Sequence, residues 1–487
     1  MTWTSIALRL AWLAAAAAPS FAQASTLELA GDSGLALALS TDADGPNAPT
    51  AGSQADLTAT LAHLNAGLHF GLQAGDSGGQ VSALSPLPLS PAGSVTWNSR
   101  QAGLDAAWTP WPRAKLEISG SDLFRSESDE AAAYALGDEQ LVATRQSRLS
   151  ATGSFDPLAP LHLQVGAEIV RNAVRNVDVG DGAWTTIATD TQRTFATAQW
   201  RLSSRLQLEG GSALQTMDVA WRSSQTASAS YAYLRPRLSG VIIPWSTGQW
   251  RLSVERVVSD PDTAAFASFA QAADGAGVFE PDHAWLYQAV VNQQLPRGAA
   301  LSASFSRSVL ESVTELGPVG QTQAPMDIGT GRQRQIDISL TTPVQLFDLP
   351  VADLRGSATW RTSEVTDPFT RARRQASGET PYQAELDLAQ TLSPGLQWGL
   401  KGQIVGAQSL YQMSQVTSLS PTAGLGGYLA FAPGPFAVRL EADNLLGGDR
   451  TNTDTYFLGS RASGQVERIS QGQTTARSFA VSLTRPF

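Results

Sequence analysis

The chain has 487 residues, 42% hydrophobic and only 16% charged, with 33 basic against 43 acidic side chains, a net charge of -10 and no cysteine. It is too apolar to stay disordered, and its charge falls short of the roughly 25% usual for a soluble surface. The missing cysteine excludes disulfide scaffolds and thiol chemistry, and an acidic balance without a basic run excludes nucleic acid as a partner.

Residues 1–24 open with Arg9, continue in an apolar core from Leu10 to Ala18, and reach Pro19 and two small-x-small sites, Ser20-Phe21-Ala22 and Ala22-Gln23-Ala24. This pattern predicts a cleaved signal peptide and export beyond the inner membrane. No later apolar run reaches the ~20 residues of a membrane-spanning helix. A barrel strand crosses with about 9 to 11 residues and shows lipid only every second side chain, so its mean hydropathy stays near zero. The value here is -0.11.

Between residues 25 and 93, "LALALS", "ADLTATLA" and "GLHFGLQ" are short alternating pieces separated by Gly, Pro and Asp, with a first strand expected near Ser33 to Thr41. From there apolar alternation recurs, and short turns alternate with longer loops. The short turns are Pro110-Trp111-Pro112, Asp156-Pro157, Ser203-Ser204, Pro244 to Gly248, Pro296-Arg297-Gly298, Leu349-Pro350, Ser393-Pro394-Gly395 and Pro433-Gly434-Pro435. The longer loops fall near residues 127 to 140, 176 to 190, 259 to 283, 315 to 332, 366 to 380 and 447 to 460. Sorting of connections by length on alternate ends is a property of membrane barrels.

The last segment alternates Phe479, Val481 and Leu483 with Ala480, Ser482 and Thr484 and ends on Phe487. A terminal Phe on the apolar phase is what the outer-membrane insertion machinery commonly reads. With that end periplasmic, the short turns fall inside and the long loops outside. The predicted fold is therefore all-β: a transmembrane antiparallel up-and-down barrel of about 20 to 22 strands over residues 25–487, in the outer membrane, with both termini periplasmic.

From Leu234 onward, "LRPRLSGVIIPWSTGQWRLSVERVVSDPDTAAFASF", "FEPDHAWLYQ", "WRTSEVTDPFTRARRQASGETPY" and "VRLEADNLLGG" follow one another in an order and spacing that resembles the C-terminal barrel of TonB-dependent outer-membrane receptors. The resemblance covers about half the chain. It implies uptake of a scarce nutrient or a metal chelate such as a siderophore, coupled to the TonB energy system. The globular plug of that family finds no counterpart in residues 25–93, so a separate plug polypeptide is an expected partner. Outer-membrane lipid and lipopolysaccharide are the others.

Chemistry is sparse. The four histidines, His63, His69, His162 and His283, suggest no hydrolytic set, and no phosphate loop, dinucleotide fingerprint or helical zinc motif is present. No cofactor and no enzymatic activity are expected. The candidate ligand residues lie in outer loops. His283 stands beside Asp282 and Glu280, within an acidic stretch that also holds Asp260, Asp262 and Asp274 and has oxygen donors of the kind calcium uses. Arg371, Arg373 and Arg374 form a cluster suited to lipopolysaccharide phosphates or another anion. Two other readings stay open: a passive porin-like diffusion channel, and a surface binding or adhesion barrel that transports nothing.

Overall fold

The computed structural model describes residues 27–30, 35–43, 51–61, 68–82, 94–111, 113–130, 140–178, 184–272, 279–320, 322–345, 350–432, 436–474 and 476–484. The expected signal peptide and Phe487 lie outside them. The chain divides into two compact units, Met1–Trp200 with Gly211–Arg235, and Arg201–Gly210 with Pro236–Phe487.

The first unit is an antiparallel meander of β1 (Leu27–Ala30), β2 (Leu35–Ala43), β3 (Ala51–Leu61), β4 (Leu68–Ser82), β5 (Ser94–Trp111), β6 (Ala114–Glu130), β7 (Gln140–Leu158), β8 (Leu161–Asp178) and β9 (Trp184–Ser203). Each strand pairs with the next. The three pieces at residues 25 to 93 are thus strands, as their alternation predicts. Parts of β10 (Leu206–Arg222) and β11 (Thr226–Trp245) complete the unit.

These strands outrun the expected 11 residues, since β7 has 19 and β9 has 20. At about 3.3 Å per residue they reach roughly 60 Å, twice the hydrocarbon thickness. The predicted loops at 127 to 140 and 176 to 190 shrink accordingly, because Glu127, Ser128, Asp129, Asn176 and Val177 are still in the ladder. Beyond the bilayer both faces of a hairpin can be polar, so the period-two signal fades although pairing continues.

The second unit continues with β12 (Gly248–Val258), the helix α1 (Thr263–Ala272), β13 (His283–Gln294), β14 (Ala300–Ser312), β15 (Thr314–Val319), β16 (Thr322–Asp327), β17 (Gly331–Val344) and β18 (Ala352–Thr366). After these come β19 (Arg373–Arg374), β20 (Tyr382–Ser393), β21 (Leu396–Val405), β22 (Gln408–Tyr411), β23 (Gln415–Leu419) and β24 (Thr422–Phe431). The last are β25 (Ala437–Asp443), β26 (Asp449–Phe457), β27 (Gln465–Thr474) and β28 (Ser478–Thr484). Among the described residues the main sheet counts 22 strands when the very short β1 and β19 are included. That count falls within the predicted range.

Among the described residues tight turns join strands at or near several predicted places, although Asp156-Pro157 lies within β7 and the turn follows at residues 159 and 160. Pro112, Leu349 and Pro433-Gly434-Pro435 lie outside the described residues. Arg297 and Gly298 take positive φ between β13 and β14, and Gly395 does so between β20 and β21, as compact reversals demand. At the other end of the strands, segments predicted as loops carry structure of their own. Residues 315 to 332 hold most of the hairpin β15–β16, and residues 447 to 460 hold β26, which forms a separate four-stranded sheet with β22, β23 and β27, strands outside any predicted loop.

The main sheet of the second unit has one apolar and one polar face. Phe305 pairs with Ile336 and Ile336 with Trp360, and all three are exposed. Leu440 pairs with Val481, Val438 with Leu483 and Ala442 with Phe479, so the three apolar residues of the last strand continue that face. The opposite face is wired by polar groups. Asp337 accepts hydrogen bonds from Ser304, Gln335 and Thr359, Arg237 lies 3.7 Å from both Glu209 and Glu255, and the Arg439 guanidinium sits 4.0 Å over the Tyr428 ring. Exposed apolar side chains on one face and paired polar ones on the other invert the soluble sandwich, in which apolar faces are buried.

Candidate functional site

The loop end of the second unit converges on one buried charged knot, and the short strand β19 explains how. Thr366 opposes Arg373 and Val365 opposes Arg374. Alternation therefore sends the two neighbouring arginines to opposite faces. Arg373 turns to the face of Glu364 and stays exposed, whereas Arg374 turns inward with the buried Val365. Arg371 adopts a left-handed φ of 62° and is bound through its backbone, its N–H donating to the Asp367 carbonyl at 2.9 Å. The predicted three-arginine cluster is thus divided among three environments.

Asp367 organises the turn. Its Oδ1 accepts the N–H groups of Phe369 and Thr370, both at 2.9 Å, an Asx-type closure that an Asp-Pro step favours. Its Oδ2 lies 2.5 Å from Arg374 Nε and 2.5 Å from Arg461 Nη1. Arg374 Nη2 reaches Glu315 Oε2 at 2.6 Å, and Glu315 Oε1 accepts the Ser377 N–H at 2.6 Å. Arg461 also donates from Nε to the Gln412 carbonyl at 2.6 Å. The four charged side chains are 1% to 8% exposed.

Aromatic rings close the knot. The Arg374 guanidinium lies 4.3 Å from the Tyr411 ring centre, and that of Arg461 lies 5.3 Å from Tyr411 and 5.4 Å from Phe369. Two carboxylates and two guanidinium groups balance in charge, as burial requires. Four separate segments are tied: the β15–β16 hairpin through Glu315, the 366–381 loop, the β22–β23 hairpin through Tyr411 and Gln412, and the turn after β26 through Arg461.

Burial alone would raise the Asp367 carboxyl, but the Arg374 hydrogen bond, the Thr370 N–H and Arg461 together hold it well below the usual carboxylate range. Asp282 goes the other way. Burial pushes it up, against the hydrogen bond that its Oδ1 accepts from the Thr314 N–H at 2.6 Å, with the charges of Asp327 and Glu315 adding to the rise.

Beside the knot lies an acidic cavity of about 390 Å³, lined by Asp260, Asp262, Asp282 and Glu315 together with Phe279 and Ser377. The acidic residues there have structural duties. Asp262 caps α1 by accepting the Ala264 and Ala265 N–H groups, and the helix buries Phe266 and Phe269 against Phe279. His283 is buried, with Nδ1 3.0 Å from the Pro281 carbonyl and 3.8 Å from Glu280, and Nε2 3.5 Å from Glu311, which also pairs with Arg256 at 2.7 Å. Glu280 contributes its carbonyl to Thr314 Oγ1. Among the described residues no group of three or more acidic or histidine side chains is arranged to hold a metal ion.

Of the residues singled out from sequence, Asp282, Glu280 and His283 therefore come together at the root of β13, Arg374 enters the knot, and Arg371 and Arg373 stay outside it. Glu315, Asp367, Tyr411 and Arg461 are not among the candidate ligand residues read from sequence. Only the Asp367-Pro368 turn signal points to any of them locally.

No family model and no curated protein matches the sequence. Solved structures do. The ferric-catecholate import receptor Fiu from E. coli K12 aligns over 94% of this chain and 78% of its own, with a TM-score of 0.62 at 11% identity. The copper transporter OprC aligns over 96% and 81%, with a TM-score of 0.62 at 12% identity. The ferric yersiniabactin uptake receptor FyuA from Yersinia pestis aligns over 94% and 76%, with a TM-score of 0.61 at 12% identity. Likeness over nearly the whole chain, with an apolar outer face and a polar inner one, identifies the architecture: this chain has the β-barrel fold of the TonB-dependent receptors of the outer membrane.

Proposed function

We propose that the chain is a receptor-like transporter that takes up a scarce nutrient or a metal chelate, a siderophore complex being the first candidate. The observation that carries this reading is the knot. Four outer segments are fixed to one another by buried ion pairs among Glu315, Asp367, Arg374 and Arg461, which gives the outer end a preorganised surface for capturing a dilute ligand. A diffusion channel has no use for such a tied platform. The similar structures, receptors for iron chelates and a copper transporter, support the same choice of cargo.

A barrel of this strand number encloses a lumen too wide for wall side chains to fill. We assign the filling to a plug, supplied as a separate polypeptide and withdrawn by the TonB system, with inward folding of the outer loops as the competing arrangement. The test is energy-dependent uptake of labelled ferric chelates by cells that carry or lack the chain. Uptake should depend on the chain and stop when the proton-motive force is collapsed. Uptake indifferent to energy would sink the proposal and favour the porin-like reading, whereas a current through the purified barrel alone would not, since purification leaves a separate plug behind. Deleting residues 261 to 280 then distinguishes the two fillings, since only a loop-filled pore opens.

A further inference from the structure

The lipid-facing side of β14, β17 and β18 carries an excess of positive charge that the transport reading does not use. Along this face Phe305, Ile336 and Trp360 form one cross-strand row, and the next row toward the loops is Arg307, Arg334 and Thr362. Beyond it lie Val309, Arg332 and Glu364, with Arg373 joining from β19. Arg307 and Arg334 stand directly opposite each other. Like charges in that position destabilise a ladder.

Among the described residues one carboxylate answers them, since Glu311 farther along β14 is taken by Arg256 at 2.7 Å. Glu364 pairs with Arg332 at 2.5 Å and Arg373 at 2.6 Å, and among the described residues the side chains of Arg307 and Arg334 make no hydrogen bond or ion pair. On the apolar face of the first unit Arg145 pairs with Asp122 at 3.0 Å and Arg171 with Asp190 at 2.8 Å, so these two cations are each answered by an anion, and no two arginines there oppose each other directly among the described residues.

The height of the patch indicates its partner. Arg334 lies about ten residues from the inner end of β17, the length with which a strand crosses the hydrocarbon. Arg307 starts deeper, and its long apolar stem can carry the guanidinium outward. A guanidinium pair at the boundary between acyl chains and headgroups matches a phosphate, which each fork can grip with two hydrogen bonds.

We infer that Arg307 and Arg334, supported by Arg332 and Arg373, clamp a phosphate of lipid A, the glycolipid of the outer leaflet. The inference rests on the outer-membrane barrel and its orientation and is independent of the cargo. A barrel that transports nothing would still show it.

The test uses the full chain in detergent, titrated with mixed micelles of bisphosphorylated lipid A, dephosphorylated lipid A or phosphatidylglycerol. The native chain should bind bisphosphorylated lipid A about tenfold more tightly than either alternative, with the preference fading as salt rises. The double variant Arg307→Gln with Arg334→Gln should lose the preference, and the lumen-facing variant Arg355→Gln should keep it. Equal binding of all three lipids by the native chain would overturn the inference, whether or not the double variant folds. So would tight binding of phosphatidylglycerol, or a double variant that keeps its heat-modifiable gel mobility and its lipid preference.

Discussion

Arg374 Nε lies 2.5 Å from Asp367 Oδ2, both side chains all but withdrawn from solvent, and the same carboxylate oxygen is shared with Arg461 Nη1. A shared buried counter-ion makes Asp367 the member whose loss is least tolerable. Asp367→Asn leaves two buried guanidinium groups without it, a defect costing about 3 to 5 kcal/mol. The loss should stay local, because only the two-residue ladder between β19 and the end of β18 reaches the knot. Hydrogen exchange should accelerate in residues 366–381 and 458–464 while β14, β17 and β18 keep their protection. Unchanged exchange in those loops would show that the knot does not hold them.

The two perturbed carboxyls give opposite pH responses. Asp367 is held below its unfolded value, so its stabilisation is fully present above the ordinary carboxylate range and is lost only as pH falls through its lower folded value. The contribution of Asp367 to the knot should therefore survive acidification to about pH 4. Asp282 is raised, so between its unfolded and folded values the folded state holds the extra proton, and stability declines as pH rises through that interval. Asp282→Asn keeps an oxygen for the Thr314 N–H and removes the buried charge. It should leave the β13–β15 junction as stable at pH 7 or more so, and abolish its gain on mild acidification, as read by exchange at Thr314.

Tyr411 offers a test of the aromatic part. Its ring lies 4.3 Å from the Arg374 guanidinium and 5.3 Å from that of Arg461. Tyr411→Phe keeps the π face and should change loop protection little, whereas Tyr411→Ala should lower it by about 1 to 2 kcal/mol. Equal effects of the two would move the role to the hydroxyl.

How much of this was legible follows from where the signals live. Period-two alternation, as in Phe479, Val481 and Leu483, marks a strand wherever one face meets lipid, and the tight turns with Pro and Gly fix the opposite ends. The outer sheet was hidden for the converse reason. Segments such as "RTNTDTYF" and "QVERISQGQT" are polar on both faces, so pairing leaves no periodic trace. The knot was hidden by distance: Glu315, Asp367 and Arg461 are far apart in the chain, and nothing local tells a buried arginine from a solvated one. Arg373 and Arg374 look alike in sequence, and two residues of strand pairing separate them.

Gly399 and Tyr428 are direct partners across β21 and β24. A Cβ on Gly399 would come 2.4 Å from the Tyr428 ring and 2.8 Å from the Leu388 carbonyl, so the ring lies over bare backbone, a cross-strand arrangement known to compensate a strand glycine. Gly399→Ala should expel the tyrosine from the Arg439 stack and slow barrel closure. The folded, heat-modifiable fraction should fall on refolding, and a second change of Tyr428→Ala should recover part of it.

The assignment of the two faces is open to a paired substitution on one strand. Phe305 is exposed on the apolar face of β14 and Ser306, its neighbour, points to the polar one. Phe305→Arg places a charge against lipid, at a cost of about 2 to 4 kcal/mol near the bilayer centre and less toward the interface. Ser306→Arg places the same charge against the Asp337 and Gln335 side of the wall, where polar partners and water are at hand. Refolding into lipid vesicles followed by denaturant titration should show a clear loss for the first and little for the second. The reverse order would mean that the faces are assigned the wrong way round, and with them the positions of Arg307 and Arg334 in the outer leaflet.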